Sequence, residues 1–201
     1  NTADFSVVDL VPLLRWTHNA DAPFDRSALL SALKACCDTR TGITPHSETA
    51  ELGFRGYASA GGLFPVDIYV LERTDAGHAL KYLHPRENQL YELETFGPDR
   101  HGELCRALCD GKPDLLDTTQ GVVILTAVWE RSIAKYGRQG YRFSIMELGI
   151  VAHHISMALT GVGLQNLHWG GGFDDLVSEV IGIDPRSESV GHLLWYGAEN
   201  A

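Results

Sequence analysis

The segment Tyr57-Ala58-Ser59-Ala60-Gly61-Gly62-Leu63-Phe64-Pro65 leads directly into the β-rich run Val66-Asp67-Ile68-Tyr69-Val70-Leu71. Paired glycines allow the backbone to approach a ligand closely and to take positive φ angles. A serine hydroxyl and exposed backbone amides suit a phosphate group or the polar edge of a planar ring. Alternatively, a glycine pair forms a plain turn into a strand. The segment therefore predicts a tight loop, with or without a ligand, that ends at Pro65 where a strand begins.

Hydrophobic periodicity on both sides of this loop predicts an α+β domain, a sheet with helices packed against it. The almost unbroken apolar run 122–128 is typical of a central buried strand. Helices are predicted at 27–37 (with Asp25 as N-cap), 102–109, 130–136, 144–161 and 173–181. Strands are predicted at 66–71, 78–82, 89–93, 122–128, 164–167 and 193–196, and a polar loop at 39–53.

Length and composition restrict the class of protein. The 201 residues suit a single domain, 1–201, and a formal net charge of -10 argues against nucleic acid as a partner. The chain begins with Asn1, which favours a domain excised from a larger protein. Four cysteines without a disulfide-like arrangement favour a reducing cytoplasm. No apolar run reaches about 18 residues, so we expect no membrane association.

Metal-ligand spacings are not found in the sequence. There is no Cys-x-x-Cys or His-x-x-x-His pair. The adjacent His153 and His154 would point about 100° apart on a helix, which is poor geometry for chelating one ion. We therefore predict no metal site.

Two further segments have the chemistry of a site. In Lys135-Tyr136, a lysine that is buried or a phenol beside cations can act as a base near neutral pH, and Arg131, Arg138 and Arg142 could supply the positive field. The alternative is a solvated basic helix end. In Trp169-Gly170-Gly171-Gly172, free backbone amides could hydrogen-bond a planar ring. The alternative is a strand-to-helix loop with Asp174 as N-cap.

Together these segments resemble the azoline oxidases of the nitroreductase superfamily. The resemblance runs from about residue 27 to 196, and its most specific parts are Ser59 to Pro65, Lys135-Tyr136-x-x-x-Gly140-Tyr141-Arg142 and Glu147-x-Gly149. Members include dehydrogenases of microcin synthetases, SagB-type enzymes and oxidase domains of nonribosomal peptide synthetases. The resemblance implies a nitroreductase-like fold, with a central, mostly antiparallel sheet flanked by helices. It also implies a homodimer with FMN at the subunit interface, in which the apolar helix 144–161 contributes to the core and to the interface.

The resemblance also implies roles for individual residues. Lys135 and Tyr136 correspond to the catalytic pair of the family, and Gly170 and Gly171 to the loop that passes the isoalloxazine ring. Three departures stand out: Ala58 replaces the usual proline, His153-His154 replaces a frequent Gln-Asn pair, and Arg40 is a weak further candidate for the phosphate because an arginine-rich start is missing. The residues implied to bind FMN are Arg55 (near its phosphate), Ser59, Ala60, Gly61, Gly62, Arg142, Gly170 and Gly171.

The implied reaction is the oxidation of a thiazoline or oxazoline ring to the aromatic azole. Lys135 or Tyr136 would take a proton from one ring carbon, and the neighbouring carbon would give a hydride to the flavin. The substrate would be a peptide presented by a cyclodehydratase partner or a carrier protein in natural-product biosynthesis. Two alternatives stay open: a nitroreductase-like flavoenzyme that uses NAD(P)H on another small molecule, and a non-catalytic flavin-fold scaffold in a biosynthetic complex.

Overall fold

The computed structural model describes residues 25–37 and 55–198. The predicted loop 39–53 and Arg40 lie outside these residues. Short 3-10 turns occur at Ala60–Gly62 and Pro98–Arg100. The remaining elements are α1 Arg26–Cys37, β1 Val66–Thr74, β2 Gly77–His84, β3 Gln89–Phe96, α2 His101–Leu108, α3 Leu115–Thr118, β4 Gly121–Val128, α4 Trp129–Tyr136, α5 Arg138–Gly161, β5 Leu164–Trp169, α6 Asp174–Ile181 and β6 Glu188–Ala198.

The strands form one six-stranded sheet in the order β3-β2-β1-β4-β6-β5. Every neighbouring pair in it is antiparallel. The apolar run predicted to be a central strand is β4, which lies between β1 and β6 and is buried over almost its whole length. The predicted α+β architecture with a central antiparallel sheet and flanking helices is therefore confirmed.

Alternation along the central strands divides the core into two clusters, one on each face of the sheet. In β4, Val123 and Leu125 face one cluster, while Val122 and Ile124 face the other. The first cluster contains the buried faces of α1 and α5, and the second contains those of α2, α3 and α6. Because successive strand residues point to opposite faces, a strand covered by helices on both sides must be apolar throughout.

Helix α5 is 24 residues long and has a mean hydropathy of 1.3 over its most apolar window, so by length and composition alone it could cross a membrane. Its inner face packs on α1 and on the sheet. This packing accounts for the apolar inner face of α5, which the sequence predicted to be part of the core. The other side exposes a second apolar stripe, formed by Tyr141, Ile145, Met146, Ile150 and Met157.

Several boundaries differ from the sequence-based prediction. Helix α5 begins six residues early because Gly140 packs on the Ser132 backbone, where a Cβ would approach within 2.5 Å of the Ser132 carbonyl oxygen. Strand β6 begins at Glu188, a polar position whose carboxylate accepts hydrogen bonds from Thr126 at 2.5 Å and Tyr69 at 3.2 Å. The N-cap of α6 is Phe173, so the expectation of Asp174 as N-cap was wrong. Asp25 does cap α1, since its Oδ1 accepts a hydrogen bond from the Ser27 amide at 2.8 Å.

Candidate functional site

The register of the sheet brings the three predicted segments to one end of it. Val66, the first residue of β1, pairs with Ala127 near the end of β4, and Ala127 pairs with Ser189 near the start of β6. Strand β5 runs towards this end of the sheet, and its last residue, Trp169, pairs with Leu193 of β6. The loop before β1, helix α4 after β4 and the glycines after β5 therefore lie at one sheet end, spread over three strand spacings, or about 14 Å.

The first loop has the tight backbone that its glycines predict. Gly61 and Gly62 take φ angles of 64° and 66°, and Phe64 also has a positive φ of 47°. The Ser59 hydroxyl accepts a hydrogen bond from the Phe64 amide at 2.9 Å, which closes the turn. The Pro65 carbonyl accepts a hydrogen bond from the Val128 amide at 2.8 Å and joins the loop to β4.

Lys135 and Tyr136 converge on this loop. A Cβ added to Gly61 would overlap the Tyr136 hydroxyl and would lie 3.1 Å from the Lys135 Nζ. The Tyr136 ring stands edge-on to Phe143, with centroids 5.2 Å apart, and the Lys135 Nζ is 5.5 Å from the centroid of the Tyr136 ring. Lys135 is exposed and Tyr136 half-buried in this chain, so the buried lysine of the first expectation is not found. Both side chains nevertheless lie directly against Gly61.

Arg131 ties helix α4 to the loop rather than providing a free charge. Its guanidinium makes a bidentate ion pair with Asp67, at 2.8 and 2.7 Å, and also donates to the Phe64 carbonyl at 3.1 Å. Because Asp67 neutralises it, Arg131 is not the source of positive field that the sequence suggested. Its effect is to fix the position of Lys135 and Tyr136 relative to Gly61.

Arg55 lies beneath the same loop. Its guanidinium is 4.6 Å from the centroid of the Phe64 ring and donates a hydrogen bond to the Tyr57 hydroxyl at 2.8 Å. Tyr57 is buried, and burial raises its pKa far above the usual value, so the phenol stays protonated. Arg55 is half-buried and pairs with no carboxylate at ion-pair distance within the described residues. No carboxylate in the described part of the chain therefore neutralises its charge.

Glu147 is a functional candidate to which sequence reasoning gave no role. It lies on the buried face of α5 with 2% of its surface exposed, and its Oε1 has no hydrogen-bond partner within the described part of the chain. Burial raises the pKa of Glu147 to about 7, and the Ser59 side chain and the Arg55 charge limit that rise. The signal in the sequence was a carboxylate at a core position of an apolar helix.

The second glycine loop, Gly170 to Gly172, is fixed by hydrogen bonds to residues 108 and 110 at the end of α2. The Trp169 indole donates to the Leu108 carbonyl at 2.9 Å, and the Gly171 carbonyl accepts from the Asp110 amide at 2.9 Å. A Cβ on Gly170 would meet nothing within 4 Å, so its face is open. These contacts place the loop beside the end of α2.

Arg142 is not brought to the glycine loop by any described contact. It is exposed on α5, and its guanidinium lies 5.8 Å from the centroid of the Phe143 ring. Of the two histidines that depart from the family pattern, His153 is exposed, while His154 lies behind the first loop. A Cβ on Gly56 would be 3.4 Å from the His154 Nε2. His154 is therefore part of the packing beneath the loop.

An open groove of about 620 Å³ adjoins helix α4 at this end of the sheet. The volume is within the usual range for small-molecule sites, about 300–1,000 Å³. Two aromatic rings form one wall, with the centroids of Trp129 and Tyr141 4.9 Å apart and the ring planes tilted by 33°. The groove is lined by Trp129, Glu130, Ile133, Tyr141, Ile145, Asp174, Arg186, Ser189, Val190 and Gly191.

The residues present fit a flavin nucleotide on three observations. The Gly61 backbone, with its positive φ, brings the loop against the Tyr136 hydroxyl and the Lys135 Nζ with no side chain between them. Arg55 pairs with no carboxylate within the described residues and offers a cation to a phosphate, and the buried Glu147 Oε1 has no hydrogen-bond partner in that part of the chain. These features match the loop contacts, the charge and the polar edge that such a ligand presents.

With this fold and this site, the chain belongs to the nitroreductase family, whose sequence model matches residues 21–195. It is 24% identical over 152 residues to the microcin B17-processing protein McbC of Escherichia coli, which covers 73% of this chain. The match spans only 55% of McbC, little more than half its length. It is also 31% identical over 138 residues to MJ1384 of Methanocaldococcus jannaschii, a protein with a nitroreductase name, covering 67% of each chain.

Solved structures show the same fold. The E. coli microcin synthetase McbBCD complex with truncated pro-MccB17 matches with a TM-score of 0.69 at 17% identity, covering 100% of this chain and 85% of that one. A nitroreductase from Desulfovibrio desulfuricans in complex with FMN matches with a TM-score of 0.60 at 11% identity, covering 99% and 92%. Proteins of this fold therefore include one bound to FMN and one bound within a peptide-processing complex.

Proposed function

We propose that this protein is an FMN-dependent oxidase that converts thiazoline or oxazoline rings of a peptide or carrier-bound intermediate into thiazoles or oxazoles. The observation that carries the proposal is the convergence of Lys135 and Tyr136 on Gly61. A lysine and a tyrosine beside the glycine loop supply candidate groups for general-base catalysis of the ring oxidation. The similarity to McbC, a microcin-processing protein, supports a role in peptide natural-product biosynthesis.

FMN is held, in this proposal, by the first loop from Ser59 to Gly62, by Arg55 near the phosphate and by Gly170 and Gly171 of the second loop. Arg142 is kept as a weaker candidate for FMN binding. Its guanidinium lies near the Phe143 ring and makes no described contact with the glycine loop. The chemistry that FMN supplies when bound is acceptance of a hydride, with the two electrons passed on to oxygen.

In this proposal, side chains of the protein accept the proton that the azoline ring loses. Lys135 or Tyr136 takes it from one ring carbon while the C–H bond of the neighbouring carbon gives up its hydride, so the ring loses two hydrogens in total. Tyr136 is held edge-on to Phe143, and the Lys135 Nζ lies 5.5 Å from the centroid of the Tyr136 ring, so the two groups lie side by side at Gly61. Arg131 holds this pair in position through Asp67.

The substrate is proposed to occupy the groove beside α4. Its wall of two aromatic rings, Trp129 and Tyr141, suits a flat heterocycle, and its open shape suits a segment of peptide. The likeness to the McbBCD complex supports presentation of the substrate by partner proteins such as a cyclodehydratase or a carrier. We place the reaction in the cytoplasm, with no membrane or nucleic-acid partner.

A homodimer is the assembly that best covers the exposed stripe on α5. Tyr141, Ile145, Met146, Ile150 and Met157 recur at helical spacing and each exposes 41–58% of its surface. A second copy placed there would also border the groove, which shares Tyr141 and Ile145 with the stripe. Light scattering is expected to give twice the chain mass for the wild type, and the monomer mass for M146E/I150E. A monomeric wild type would contradict this assembly.

Anaerobic flavin spectroscopy tests the proposed function against its alternatives. The purified protein should be yellow, and a thiazoline-containing peptide should bleach the flavin absorbance faster than NADPH does. Bleaching by NADPH but not by the peptide would favour a nitroreductase-like activity. A colourless preparation that refuses added FMN would overturn both enzymatic functions and favour a scaffold.

A further inference from the structure

Glu147 is the buried ionisable group that the proposed reaction does not use. It is 98% buried on α5, between residues of the first core cluster. Its Oε1 accepts no hydrogen bond within the described residues. Burying a carboxylate without full hydrogen bonding is costly, so its presence at a core position requires an explanation.

The groups that face Glu147 belong to the elements around the glycine loop. From the loop, Ser59 and Arg55 both stabilise its charged form. Tyr57 lies close enough to feel its charge and stays neutral because it is buried. On α1, near Arg55, Cys36 and Cys37 are buried thiols whose pKa values are raised by burial, so they add no charge near neutral pH.

On α5 itself, two turns along the helix, His154 packs against Tyr57 with ring centroids 6.5 Å apart. Arg55 is therefore the permanent cation in this set, and the Ser59 side chain, like the Arg55 charge, limits the rise in the pKa of Glu147. The two groups that offset the charge of Glu147 are the same two that the proposed function assigns to FMN. A ligand on the loop must alter the surroundings of this carboxyl.

We propose that Glu147 is a positioning residue that takes up one proton from solvent when FMN binds to the glycine loop. The proposal rests on the proposed function, since it assumes FMN on this loop. An FMN phosphate that engages Arg55 withdraws the counter-charge of Glu147, and a ring over the loop removes solvent from around Ser59. Both changes favour the neutral carboxyl, which can donate a hydrogen bond to the Ser59 hydroxyl and hold the turn.

The sign of the pH dependence follows from linkage. Free protein has Glu147 largely ionised above pH 7, and the bound protein has it neutral, so raising the pH opposes binding. The Kd for FMN is expected to rise by up to about tenfold per pH unit above pH 7. Riboflavin has no phosphate to engage Arg55 and should show a weaker dependence.

Calorimetry of FMN binding to the flavin-free chain at pH 8 measures the proton directly, using two buffers with different ionisation enthalpies. We expect uptake of about one proton by the wild type and by E179Q, which neutralises an exposed glutamate on α6. We expect uptake near zero for E147Q. Equal uptake by wild type and E147Q would overturn the proposal.

Infrared difference spectra of the wild type provide a test that needs no variant. FMN binding at pH 8 should produce a new band of a protonated carboxyl group, and the absence of that band would overturn the proposal even if E147Q failed to fold. Binding of FMN without a Glu147-dependent proton would leave the proposed function standing. Failure to bind FMN at all would overturn both.

Discussion

The two glycine-rich loops lie at the same end of the sheet but are built in opposite ways. In the first, Gly61 has a positive φ, and Tyr136 and Lys135 pack against its Cα. In the second, Gly170 has no atom within 4 Å of where a Cβ would lie. The contrast is between Gly61 and Gly170 themselves, because added Cβ atoms on Gly171 and Gly172 would also approach their neighbours to 2.5 Å. Gly61 is required for packing against Tyr136, whereas Gly170 leaves an open face on the second loop.

The largest effect is expected for G61A. The added methyl group overlaps the Tyr136 hydroxyl, and a φ of 64° costs an alanine roughly 1–2 kcal/mol. We expect a lower melting temperature and FMN affinity weakened by about tenfold or more, measured by thermal unfolding and flavin fluorescence titration. Wild-type affinity in G61A would show that FMN does not use this loop.

The next effect concerns the tie between the loop and α4. In R131K the bidentate contact with Asp67 and the bond to the Phe64 carbonyl cannot both be kept, and Asp67 is buried. We expect a loss of roughly 1–3 kcal/mol in the free energy of urea unfolding. The matched control is R186K, since Arg186 makes a similar ion pair with Asp184 on the surface. Equal losses in the two variants would contradict an anchoring role for Arg131.

A pH-dependent effect is expected from E147Q in the flavin-free protein. Folding raises the pKa of Glu147 from 4.5 to about 7. The free energy of unfolding of the wild type therefore falls as the pH rises from about 4.5 to 7, and it stays lowered above pH 7. E147Q should therefore be more stable than wild type by roughly 3 kcal/mol at most at pH 8, and by much less at pH 5. Urea unfolding at both pH values measures the difference. A gain that is the same at both would argue against titration of Glu147.

The smallest effect is expected for G170A, the counterpart of G61A in the second loop. Its φ is not positive and the methyl group has space, so the melting temperature should stay within about 1 °C of wild type. FMN affinity should fall by a few fold if the ring passes this loop. A melting temperature lowered as much as in G61A would remove the distinction between the loops.

Sequence patterns predicted the central parts of the fold well because strong periodicity dominates there. The run 122–128 could only be a strand buried on both faces, and it is β4. Boundaries were predicted less well where tertiary contacts outweigh local pattern. Strand β6 starts at Glu188 because Thr126 and Tyr69 satisfy its carboxylate, and no local rule foresees partners so distant in sequence.

The sequence named the glycines and the Lys135-Tyr136 pair as site candidates from their motifs, and the structure brings Gly61, Lys135 and Tyr136 together, while their roles stay predictions. The roles of Arg131 and Glu147 were not predictable from the sequence. Arg131 looked like a free cation, and only the fold reveals Asp67 beside it. Glu147 was named in the Glu147-x-Gly149 motif but was given no role, and the effect of Ser59 and Arg55 on its pKa depends on how α5 packs beneath the loop.

The central claim is that Lys135 and Tyr136 take the proton during azoline oxidation, and mass spectrometry of a thiazoline peptide tests it most directly. The FMN-loaded wild type is expected to remove two hydrogens from each ring. The K135A/Y136F variant, loaded with FMN to the same level, is expected to be slower by about 10²-fold or more, the usual contribution of a general base. Oxidation at the wild-type rate by the FMN-loaded double variant would contradict the claim.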